Sequence, residues 1–233
     1  MHINQLKESL KKQRQQQNSV DFYTPGGLHV YFRDPIENNI DVEKVVATLE
    51  SKIPRHLLSE IEMILIGWFD EFEERSINAF YDSGTIYVSN FQDSEEDLYD
   101  DLVHELSHSL EEKYGYQIYS DDKIANEFLS KKNKLYKILW SKGFKAPRKF
   151  YMDTEFDQEF DDFLYKEVGY DKLGPLVQGL FISPYAITSI REYFATLFTE
   201  FYLDSNHNFI KKVSPAVYEK IMTLHDEEKL DFA

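Results

Sequence analysis

The chain has 233 residues, 42 of them acidic and 26 basic, for a formal net charge of −16, and it contains no cysteine. That balance excludes a nucleic-acid surface and works against an anionic membrane, because both partners want a basic face; a basic substrate would instead be drawn in. Without cysteine there are no disulfides, thiolate nucleophiles or Cys-based zinc fingers, so any metal must be held by His, Asp and Glu.

Residues 1–20 are rich in Lys and Gln and read as a polar arm or tail. They lack the apolar stretch of a secretory signal, and no later run is long enough to span a bilayer. The expectation is a cytoplasmic protein, or one otherwise without a classical secretion signal. "LHVYFRD" (28–34) alternates and is β-rich, which predicts a strand. Val42, Val45, Val46 and Leu49 recur at helical spacing over 40–52, and Pro54 closes that helix. "IEMILIGWF" (61–69) is an apolar run of strand length. Over 77–90 the triplet Asp82-Ser83-Gly84 separates two β-rich flanks and predicts a hairpin. A long helix follows over 93–115, with Asp93 and Glu96 spaced as a capping box and Gly115 as its stop. Further helices are expected near 121–141, 154–167, 188–203 and 214–224. The fold class is therefore α+β: a small N-terminal twisted sheet with a helix over 21–115, then a helical C-terminal subdomain over 116–233.

The helix over 93–115 holds "HELSH". At about 100° per residue, Leu98, Leu102, Leu106 and Leu110 make one apolar stripe, and His104 and His108 fall nearly opposite it. Two imidazoles one turn apart share a face and can reach one ion at about 2.0–2.1 Å. Glu105, beside His104, points to the flank, where it can reach a water rather than the metal. The competing reading is a solvated polar face, since Asp97, Asp100, Asp101, Glu111 and Glu112 share that side. A metal site needs a third protein ligand. The pattern HExxHxxGxxH is excluded, because Glu111 and Tyr114 stand where it requires glycine and histidine.

A candidate for that ligand lies on "SPYAITSIREYFATLFTEFYL" (183–203). Ile190, Tyr193, Phe194, Leu197, Phe198 and Phe201 cover the side opposite Glu192. The Glu192 side carries only small residues: Thr188, Ser189, Ala195, Thr196 and Thr199. A carboxylate amid small residues suits close helix approach and a charge turned to a metal. Glu200, two turns on, is the rival.

These features together resemble the catalytic domain of anthrax toxin lethal factor and the related Pro-Pro endopeptidases: HELSH, then Tyr185 seven positions before Glu192, then "EYFA". The resemblance implies a zincin-like fold working as one catalytic unit on a peptide or protein substrate, with one Zn2+ per chain. It implies His104, His108 and Glu192 as metal ligands, Glu105 as the base, and Tyr185 as a hydroxyl lent to the reaction. One position departs: a second carboxylate one turn after the ligand Glu is common in that family, and here it is Thr196. An inactive zincin-fold binding or structural protein is the alternative. In zincin-like folds the strand before the motif helix lies along the cleft, so Ile86, Tyr87 and Val88 are expected to bind substrate by strand addition.

Overall fold

The structure is a computed structural model that describes residues 21–36, 38, 40–75, 77–203 and 206–230. The polar arm expected over 1–20 lies outside them. The chain forms two compact units, and the boundary falls between Ser109 and Leu110, inside the long motif helix rather than after Gly115.

The first unit is a five-stranded sheet with helices. It comprises β1 (Asp21–Tyr23), β2 (His29–Phe32), α1 (Val42–Lys52), β3 (Met63–Gly67), α2 (Asp70–Arg75), β4 (Ala79–Asp82), β5 (Thr85–Ser89) and the first part of α3 (Glu95–Tyr119). The strand order is β1-β2-β3-β5-β4. β2, β3 and β5 run parallel, while β1 and β4 pair antiparallel at the two edges. Period-two alternation puts Val30, Ile64 and Ile86 in one register row and Ile66 with Val88 in the next, and all five are at most 1% exposed. Val42, Val45, Val46 and Leu49 of α1 are buried, and the Asp41 side chain caps that helix by accepting from the Lys44 N–H. The hairpin turns at Ser83 and Gly84, both with positive φ (46° and 84°), as a two-residue loop matched to strand twist requires.

The second unit is helical. After the C-terminal part of α3 come α4 (Lys123–Ser141), α5 (Gln158–Asp162), a π-helical turn (Phe163–Val168), α6 (Tyr170–Val177), a 3-10 turn (Tyr185–Ile187), α7 (Ile190–Tyr202), α8 (His207–Val213) and α9 (Pro215–His225). The rings of Phe128, Phe181 and Tyr193 meet at its centre, with centroids 5.3–6.1 Å apart. Beside them, Lys131 Nζ donates to Ser214 Oγ at 2.8 Å, and the Tyr193 hydroxyl lies 2.7 Å from Glu127 Oε1.

Several expectations change in detail. α3 begins at Glu95, and its cap is Ser94, whose Oγ accepts from the Asp97 N–H; Asp93 stands one residue too early. Gly115 does not stop α3, which runs on to Tyr119 before Asp122 takes the left-handed conformation. α3 offers no left-handed site at Gly115, so the glycine is an interior helical residue. The strand-addition role of Ile86, Tyr87 and Val88 does not stand. β5 has β3 on one side and β4 on the other, so its backbone N–H and C=O groups are already paired. The sheet edge on that side is β4.

Candidate metal centre

Within the first unit, α3 brings His104, Glu105 and His108 together, with one ligand atom of each within 4.8 Å of the others. The imidazole centroids are 5.1 Å apart and the rings stand at 76°. Both histidines are half-buried and Glu105 is buried, while Leu98, Leu102 and Leu106 on the opposite stripe are wholly inaccessible. The helix thus anchors one side in the core and presents its two imidazoles from the other, as leucines every four residues dictate. Two imidazoles and a carboxylate grouped on one rigid turn could hold a metal ion.

One turn before His104, the Asp101 carboxylate accepts from Gln92 Nε2 at 2.9 Å. Burial pushes its pKa up to about 6, with Asp100 and Asp97 adding to the rise; the Gln92 hydrogen bond and His104 oppose it.

Glu192 and Tyr185 belong to the second unit. Glu192 sits in the first turn of α7, half-buried, and its N–H donates to the Ser189 side chain that caps the helix at 3.1 Å. The small-residue stripe around it is packed: Thr188, Ser189, Ala195 and Thr199 are all at most 4% exposed. Tyr193, Phe194, Leu197, Phe198 and Phe201 are buried on the other side, so α7 is enclosed almost all round. Tyr185 opens the 3-10 turn before α7, with its side chain partly in solvent and its carbonyl accepting from the Thr188 hydroxyl at 2.9 Å. Glu200 lies in the last part of α7, and Thr196 is half-buried.

Within this unit Glu192 has a charged neighbourhood that sequence reasoning missed. Glu111, on the continuation of α3 three residues after His108, accepts from the Tyr119 hydroxyl at 2.9 Å and from Arg191 Nε. Burial raises the Glu111 pKa, Arg191 and Tyr119 oppose the rise, and the nearby Glu192 charge adds to it. The Tyr119 hydroxyl is held protonated by burial and by Glu111, with Glu192 contributing. Arg191 therefore ties the start of α7 to the C-terminal part of α3, within the second unit. The signal was available as an Arg adjoining the candidate ligand and a Glu one turn past the second histidine, but neither has meaning until the helices are paired.

No protein-family model matches the chain, and neither a curated protein nor a solved structure matches it.

Proposed function

We propose that the chain is a zinc-dependent metalloendopeptidase of zincin-like fold. The observation that carries this reading is the His104–Glu105–His108 group: two imidazoles and a buried carboxylate within 4.8 Å on one helix that is otherwise anchored in the core. His104 and His108 hold the ion through ring nitrogens. Glu192 is the third ligand on the strength of its sequence offset, as the resemblance implies. When bound, zinc supplies a Lewis acid that polarises a peptide carbonyl and makes water acidic near neutral pH.

The remaining chemistry belongs to the chain. Glu105 accepts a proton from the attacking water and passes it to the leaving amine. The Tyr185 phenol donates to the oxyanion as charge develops there. A peptide adds to the outer edge of β4, which among the described residues pairs with β5 alone and so leaves backbone groups for pairing. The excess of acidic residues favours a basic peptide.

A second reading, an inactive zincin-fold binding protein, is favoured by one feature: Thr196 stands where a second carboxylate would orient a ligand imidazole. Metal analysis of protein purified without chelator tests the centre itself. The expected result is close to one zinc per chain, lost in the His104→Ala/His108→Ala double variant. Zinc retained at full stoichiometry in that variant would remove the site.

A further inference from the structure

The first unit holds a cavity of about 600 Å³, lined by Asp34, Pro35, Ile36, Trp68, Asn90 and Phe91. Those residues follow β2, β3 and β5, so the cavity lies at the carboxyl ends of the three parallel strands. Open sheets with parallel strands place ligands at that end. Three features of its wall point to one chemistry. Trp68 and Phe91 are 40% and 53% exposed and stand edge-to-face with centroids 5.5 Å apart, so an aromatic corner is turned to solvent. The Asp34 carboxylate accepts from the Trp68 backbone N–H at 2.9 Å and has Arg33 Nε at 3.9 Å, and its side chain remains 41% exposed, with room for a further donor. Asn90 is 6% exposed; its Nδ2 donates to the Pro35 carbonyl at 3.0 Å, and its Oδ1 is buried without a hydrogen bond. A buried amide oxygen without a donor is costly, and a donor brought by a ligand, directly or through one water, relieves it.

We propose that this cavity binds the guanidinium of an arginine side chain. Aromatic faces attract a cation, and a carboxylate neutralises it. The planar guanidinium carries five donors in a fixed fork, so it can donate to Asp34 while stacking on Trp68; an ammonium is a point charge and cannot stack. Charge complementarity extends past the cavity. On the other side of Phe91 a neighbouring cavity is lined by Asp93, Asp97, Asp100 and Asp101, and the whole chain carries −16. The site lies within the first unit and stands whether or not the metal centre does.

The test is an NMR titration of the full chain, observing the indole N–H of Trp68, with the second tryptophan, Trp140, as an internal reference. N-acetyl-arginine amide should give a saturable shift of the Trp68 signal and leave Trp140 in place. N-acetyl-citrulline amide has the same shape without the charge, and N-acetyl-lysine amide has the charge without the plane; both should bind about tenfold more weakly or worse. Asp34→Asn keeps an acceptor for the Trp68 N–H, so the loop is preserved while arginine binding weakens about fivefold or more. Asn90→Leu should weaken it too, with an unchanged far-UV spectrum as the check on folding. Citrulline or lysine amide binding as tightly as arginine amide would overturn the proposal. So would arginine binding untouched by Asp34→Asn, or Trp68 shifting only in parallel with Trp140.

Discussion

In the proposed reaction, Glu105 is the residue on which the chemistry turns. It is buried beside the two histidines, and a neutral amide of the same shape cannot take a proton. Tyr185 supplies only a hydroxyl, so Tyr185→Phe should retain zinc and lower kcat by roughly a hundredfold, as for loss of one oxyanion donor. Full activity in that variant would take the tyrosine out of the reaction. Asp101 allows a test without substrate. Its folded-state pKa, about 6, lies above the ordinary carboxylate value of 3.8. Between those values the folded state binds more protons than the unfolded chain, so this group stabilises the metal-free protein below about pH 4, and that stability is lost as pH rises through about 6. Asp101→Asn should flatten the stability profile between pH 4 and 6 and spare about 2 kcal/mol at neutral pH, after discounting for partial exposure. Urea unfolding of chelated protein at several pH values measures it; an unchanged slope would show that Asp101 is solvated.

Elements with a strong apolar period were legible from the residues alone. The β-rich runs around Val30, Ile64 and Ile86 become the parallel centre of the sheet, and the valine–leucine spacing of α1 becomes its buried face. β1 was not, because three residues carry no period and are strand only by pairing with β2. Nor was the place of β5: alternation reveals which face is buried but not which neighbour takes each edge. The end of α3 was misjudged because glycine marks a stop only where the chain turns left-handed, and that turn comes at Asp122. α4 lies where the sequence puts a helix. Its buried lysines were not legible: Lys131 and Lys132 are 6% and 1% exposed, lying over Tyr193 and Phe160 rings respectively. Burial lowers both pKa values to about 8. The unfolded chain binds more protons between about pH 8 and 10, so stability should rise with pH across that window. Lys132→Met should flatten the rise; a rise unaltered by Lys131→Met and Lys132→Met would mean that the ammonium groups are hydrated. The Ser94 cap of α3 is a simpler case, and Ser94→Ala should cost about 1 kcal/mol by denaturant unfolding.

At the scale of the whole molecule, the mixture of sheet and helix was legible in the order of periods: period two dominates up to Ser89, period 3.6 thereafter. The candidate ligand set was legible only in part. His104, Glu105 and His108 are neighbours by helix geometry, whereas a third ligand 84 positions beyond His108 can be read only through a resemblance or a paired structure. Metal binding should couple to stability across the chain. At a free zinc concentration about a hundredfold above Kd, the folded state should gain about 2.7 kcal/mol, or roughly 5–10 °C in Tm, and the His104→Ala/His108→Ala variant should show no gain. The most direct measurement is digestion of a random peptide library by wild type and by Glu105→Gln, with the zinc content of both preparations determined. The account predicts close to one zinc per chain in each and cleavage by wild type alone. Cleavage by Glu105→Gln at the wild-type rate, or no cleavage by fully zinc-loaded wild type, would contradict it.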